Sequence, residues 1–204
     1  MYNESTMEKP NIHRLLELQQ LLLTFSQIDR VLERKHGKRF VHETDSEHSY
    51  NLAMTAWFLA PHFPELNCDL LIRYGLVHDI VEVHAGDTDI YAPAHIIATK
   101  HARETAAAQK LQSDWADFPE IHDLIDRYEK RADAEARFIY ALDKIMPILQ
   151  IYINEGHTWK VGGITVAKLH AVKADKVILS PEIKPYYDEL YALLLASPEL
   201  IKPE

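Results

Sequence analysis

The chain has 204 residues, 47% of them apolar and 26% charged, with a formal net charge of −9. That length and balance fit one globular domain with a buried core, and the acidic charge excludes a nucleic acid polymer as the expected partner. A single cysteine, Cys68, excludes an internal disulfide framework, and with no leader-like start and no membrane-length apolar run a cytoplasmic protein without a membrane partner is expected.

Residues 1–10 are polar and close on Pro10, the pattern of a flexible N-terminal arm, leaving 11–204 as a single domain. From Asn11, the spacing of Ile12, Leu15, Leu16, Leu22 and Phe25 predicts an amphipathic helix continuing to about Glu33. Arg34-Lys35-His36-Gly37-Lys38-Arg39 is a basic, glycine-interrupted turn in an otherwise acidic chain. Asp45 or Ser46 is a suitable N-cap for a helix over 46–63, with His48 in its first turn and Pro61 and Pro64 at its end. Leu70, Leu71, Tyr74, Val77 and Val81 then recur at three- and four-residue steps, predicting a mostly buried helix that Gly86 stops. After a turn-rich loop over 88–93, residues 95–112 form a helix by propensity, with His95 and His101 on its surface.

Pro119 opens a further helix reaching about Arg131. In the next one Ala136, Ile139, Tyr140, Asp143 and Met146 follow the helical period, and Pro147 should kink or interrupt it. Residues 154–163 lack that period; they are a connector, or a lid offering His157, Trp159 or Lys160 to a ligand. Helices over 164–176 and 181–195 close the chain. With no strand-type alternation and no internal repeat, the fold expected is all-α.

The densest chemistry lies in Val77-His78-Asp79-Ile80-Val81-Glu82-Val83-His84-Ala85-Gly86-Asp87. A helix would bring His78 and Glu82, and Asp79 and Glu82, onto shared faces, with Asp87 just past the helix end. Buried charges of this kind are costly unless paired or bound to a cation. Alone, His78 reads as a satisfied core histidine, Asp79 as a cap and Asp143 as one half of an ion pair. Together, His48, His78, Asp79 and Asp143 supply two imidazoles and two carboxylates from three helices, a donor set for one divalent first-row metal ion.

The ordered set His48, His78-Asp79, Asp143 resembles the H…HD…D signature of the HD-domain metal-dependent phosphohydrolases. Ser46-Glu47-His48 and the run from His78-Asp79 through Glu82 to Gly86-Asp87 resemble the branch containing bacterial 5'-deoxynucleotidases. The resemblance covers roughly residues 15–151. It implies a single HD-domain helical bundle and release of phosphate from a small phosphomonoester, a (deoxy)nucleoside 5'-monophosphate above all. It implies one bound divalent ion (Mn, Co, Mg, Fe or Zn), Glu82 and Asp87 as catalytic carboxylates, and a substrate-binding arginine. Arg30 is the nearest match for that arginine and Arg39 its competitor, because the spacing to His48 departs from the family's. Related enzymes often carry a lysine shortly after the position of Asp87, where this chain has Ala92, Pro93 and Ala94. Guanosine tetraphosphate hydrolysis, a di-iron oxygenase recruiting His84, His95 and His101, and a metal-retaining sensor without turnover are the alternatives. Assembly as a monomer or a homodimer is open at this level.

Overall fold

The computed structural model describes residues 9–204, so the arm expected over 1–10 lies, but for its last two residues, outside the described residues. Helix α1 (Ile12–Phe25) starts as expected, with the Asn11 side chain accepting from the Arg14 amide. It ends eight residues earlier than its apolar spacing suggested, because the chain turns into a hairpin of β1 (Asp29–His36) and β2 (Arg39–Thr44). His36 pairs with Arg39 across a two-residue turn in which Gly37 takes a φ of 62°, a conformation that favours glycine. The basic turn is therefore the tip of an antiparallel ribbon, a small exception in a helical fold. Its register shifts between Asp29 and Glu33, and such a bulge re-aims the side chains within it, Arg30 included.

The helices that follow are α2 (Asp45–Leu59), α3 (Cys68–Val77), the short α4 (Glu82–Ala85), α5 (Ala94–Asp114) and α6 (Pro119–Lys130). After these come α7 (Ala134–Ile153), the short α8 (His157–Gly162), α9 (Val166–Val177) and α10 (Lys184–Leu195). No described helix is long and apolar enough to cross a membrane. The main core forms around α7, whose Phe138, Ile139, Leu142, Ile145 and Ile148 are buried among side chains of α2, α3, α9 and α10. A second cluster joins Phe25, Ile80, Val81, Leu111, Trp115 and Ile125. Pro147 does not interrupt α7, which runs on through it. The helical bond its missing N–H forgoes is the one to the carbonyl of Asp143.

The helix expected up to Gly86 is broken at 78–81. There the bonds tighten to three-residue steps, Ile80 N to Val77 O at 3.1 Å and Glu82 N to Asp79 O at 2.8 Å, before α4 resumes. Just before the break α3 crosses α2 closely: a Cβ on Gly75 would lie 2.8 Å from the Ala53 Cα. That approach brings the ends of α2 and α3, and hence His48 and His78, together.

Candidate metal centre

Helix α2 is capped by Thr44 rather than by Asp45 or Ser46. Thr44 Oγ1 accepts from the Glu47 amide at 3.3 Å, and Glu47 Oε2 accepts from the Thr44 amide at 3.0 Å, a reciprocal capping box. With the capping role taken by Thr44, Asp45 turns inward and is fully buried. His48 follows in the first turn, also fully buried, its Nε2 3.0 Å from Asp143 Oδ1. Its Nδ1 faces Glu43 Oε2 at 3.6 Å. Glu43 in turn accepts from Gln150 Nε2 at 2.7 Å on its other oxygen. Burial opposes both the charge on His48 and that on Glu43. Asp143 and Glu43 outweigh it and push the imidazole up, while His48 holds the Glu43 carboxyl down.

His78 donates from Nδ1 to the Gly75 carbonyl at 3.1 Å, which fixes the tautomer and leaves the Nε2 lone pair free. That Nε2 is buried with no hydrogen-bond partner among the described residues. It lies 3.0 Å from Asp79 Oδ2 without the alignment of a hydrogen bond. Donor atoms of His48, His78 and Asp143 all fall within 4.8 Å of one another. Three of the four expected ligands therefore converge, with Asp79 beside His78 but grouped through its oxygens with Asp45 and Glu82, and an unsatisfied imidazole nitrogen in such surroundings fits a borderline divalent ion. Burial works against ionising Asp79 and Asp143. The Arg30 guanidinium works against this at Asp79, as Lys144 and His48 do at Asp143, and both carboxyls lie well below the usual carboxylate range.

Beside this group stands a second cluster, Asp45, Asp79 and Glu82, with carboxylate oxygens within 4.8 Å of one another. Glu82 is buried and its Oε2 has no hydrogen-bond partner among the described residues. Burial, then the charges of Asp79, Asp45 and Asp87, push its carboxyl far up. Asp87 is raised too, by burial and against the pull of Arg30. Its loop is held by Arg103, which donates to the Ala85 carbonyl and to Thr88 Oγ1, each at 2.7 Å. Arg30 enters from the bulged part of β1, not from the first helix. Its Nη1 bridges Asp79 Oδ2 at 2.8 Å and Asp45 Oδ1 at 3.0 Å.

Arg30, Asp79, Glu82, Asp87 and Asp143 all line one cavity of about 680 Å³. Arg39 is exposed on the hairpin and does not line it. Of the lid residues considered, Trp159 is buried and reaches the cavity wall, whereas His157 pairs with Glu33 at 3.0 Å and Lys160 donates to the Glu155 carbonyl. His95 and His101 are exposed, and His84 lies 3.8 Å from Asp114, so none of the three joins the cluster. Sequence reasoning missed Glu43 and Asp45, and it missed the lysines that line the cavity: Lys100, Lys144, Lys168, Lys173 and Lys176. Lys100, on α5, puts a cation in the cavity although the loop after Asp87 has none. The one pattern that could have exposed Lys173 is its place in the apolar stripe Val166, Leu169, Val177.

An HD domain family model matches residues 30–184. The protein named 5'-deoxynucleotidase HDDC2 in Xenopus laevis is 39% identical over 112 residues, so the chain spans about half of that relative's length (53%). The Homo sapiens protein of the same name is 35% identical over 146 residues, 68% of each chain. Among solved structures, one from Magnetospirillum magnetotacticum MS-1, described as a predicted metal-dependent phosphohydrolase, superposes with a TM-score of 0.75. It is 31% identical and covers 92% of this chain and 96% of its own.

Proposed function

The chain belongs to the HD-domain family, and on that premise we propose that it is a metal-dependent phosphohydrolase acting on (deoxy)nucleoside 5'-monophosphates. The observation that carries the reading is the unpartnered, buried Nε2 of His78 among Asp79, His48 and Asp143, beside a cavity that Glu82, Asp87 and Arg30 also line. His48, His78, Asp79 and Asp143 would hold one divalent ion, from Mn, Co, Mg, Fe or Zn. Bound there, it would supply Lewis-acid polarisation of the phosphate and a more acidic water.

The remaining roles belong to the chain's own groups. Water attacks phosphorus, the bond from phosphorus to the 5'-oxygen breaks, and that oxygen takes a proton. In this reading Glu82 and Asp87 manage those protons, because both line the cavity and neither is counted among the four ligands. Burial pushes both carboxyls up, Glu82 furthest, so either can carry the proton that the leaving 5'-oxygen takes. Arg30 has Nη1 occupied by Asp45 and Asp79, and its Nη2, without a carboxylate partner among the described residues, can take a phosphate oxygen.

A cavity of about 680 Å³ is of the size that receives a nucleotide, and Ile148, Ile151 and Trp159 give it an apolar wall for a base. The names of the relatives support the same substrate class. The exposed Tyr50, Met54, Trp57 and Phe58 on α2 support a homodimer, the lone Cys68 fits the cytoplasm, and 11–204 is taken as one HD-type domain. Phosphate release from the ribo- and deoxyribonucleoside 5'-monophosphates, each with Mn, Co, Mg and Fe(II), tests the reading. Turnover of monophosphates and none of phosphodiesters is expected; metal binding without turnover of any of them would leave a sensor.

A further inference from the structure

Lys173 is the one lysine that the described part of the fold buries, with an exposure of 7%. It sits on the inner face of α9, between Leu169 and Val177, and lines the cavity. Its neighbours are matched with carboxylates: Lys144 Nζ pairs with Asp143 Oδ2, and Lys100 Nζ lies 3.3 Å from Glu104. Lys173 makes no ion pair or hydrogen bond with a described residue. Lys176, one turn further along the same wall, also lacks a carboxylate partner there. Two like charges three residues apart on a helix repel, and a lysine this far buried whose ammonium has no counter-charge is costly. Burial and then the charge of Lys144 hold the Lys173 amine down to about 7. An anion in the cavity would relieve both costs.

We propose that Lys173, flanked by Lys176, is an anion subsite that anchors the phosphate group of the substrate; the inference rests on the phosphomonoesterase reading. Lys173 lines the same cavity as Asp79 and Asp143, which sets the subsite in the chamber that the candidate metal ligands face. Arg30 has its Nη1 taken by Asp45 and Asp79, which leaves Nη2 to offer a phosphate oxygen and room for a second cation at the anion. Helix α9 thus brings to the cavity lysines that no described carboxylate pairs with, Lys173 the most buried of them, and a dianionic phosphate is a ligand group that offers it a charged acceptor at that place.

The test is calorimetric titration of inorganic phosphate into manganese-loaded protein, with KM for a turned-over monophosphate measured in parallel. Lys173→Met is expected to weaken phosphate binding by about tenfold or more and to raise KM by a similar factor. Manganese affinity should stay unchanged, and Lys173→Arg should keep most of the phosphate affinity. Phosphate binding by folded Lys173→Met within about twofold of the wild type overturns the proposal. Should Lys173→Met fail to fold, Lys173→Gln is read by the same criteria. In the wild type the ¹³Cε resonance of Lys173 must move when phosphate is added, and a static resonance overturns the proposal equally. Phosphate binding through Lys173 without hydrolysis of any monophosphate would sink the phosphatase reading and leave the subsite standing. Hydrolysis with an unchanged KM in Lys173→Met would do the reverse.

Discussion

Glu43 Oε2 stands 3.6 Å from Nδ1 of His48, and both side chains are completely buried. A carboxylate behind a ligating imidazole orients the ring and turns the lone pair of the other nitrogen toward the ion. Gln150 holds Glu43 in that position at 2.7 Å. Glu43→Gln is therefore expected to lower metal affinity by about 10- to 100-fold while the helical circular dichroism spectrum stays that of the wild type. Titration calorimetry with manganese reads the effect, and wild-type affinity in the variant would reduce Glu43 to a packing role.

Glu82→Gln and Asp87→Asn keep the shape of the cavity wall and remove a proton-transfer group each. Both should bind metal and substrate normally while kcat falls by about 10²- to 10⁴-fold. If Glu82→Gln instead lost the metal, Glu82 would belong to the ligand set, as the closeness of its oxygens to Asp79 and Asp45 allows.

Arg30→Ala should raise KM with kcat changed less, and Arg39→Ala should leave both alone, because only Arg30 lines the cavity. The comparison is internal, so a silent Arg30→Ala beside an impaired Arg39→Ala would show that the hairpin presents its other arginine to substrate.

Lys173 makes stability depend on pH in a definite direction. Its ordinary value of 10.5 falls to about 7 in the fold through burial and the nearby Lys144. Between those values the unfolded chain binds the proton and the folded chain does not, so stability rises with pH across that window. Below about 7 both states carry the proton and the full cost remains; above 10.5 it is absent. In phosphate-free buffer Lys173→Met should melt several degrees higher than the wild type at pH 6, and the gap should close as pH approaches 10. Thermal scans at a series of pH values check this, and a gap that widens with pH would contradict the assignment.

The four candidate ligand residues could be singled out in the sequence because each carries a mark of its own. His48 follows a helix-start pattern, His78 and Asp79 sit in an apolar run, and Asp143 interrupts an apolar stripe. The hairpin could not be, since Glu33, Arg34 and Lys35 are charged on both faces and β1 is held by tertiary bonds. Glu33 N donates to Thr158 Oγ1, and Lys35 N to Asn154 Oδ1, partners more than 100 residues away that no local pattern announces. The break at 78–81 was hidden for a related reason. The spacing of Leu71, Tyr74 and Val81 suits a continuous helix, while the close α2–α3 crossing at Gly75 and the tightened bonds after it are set by packing. Missing the hairpin also hid Glu43 and placed Arg30 on a helix, although both were in plain view as residues.

Metal held by His48, His78, Asp79 and Asp143 is expected to enable hydrolysis of a nucleoside 5'-monophosphate. The most direct measurement is phosphate release from deoxynucleoside 5'-monophosphates by chelator-stripped protein, before and after manganese or cobalt is restored, in the wild type and in Asp143→Ala. Release that vanishes on stripping, returns with one equivalent of metal and stays absent in a folded Asp143→Ala is the predicted result. Release that survives stripping, or that Asp143→Ala supports at the wild-type rate and metal affinity, would contradict it.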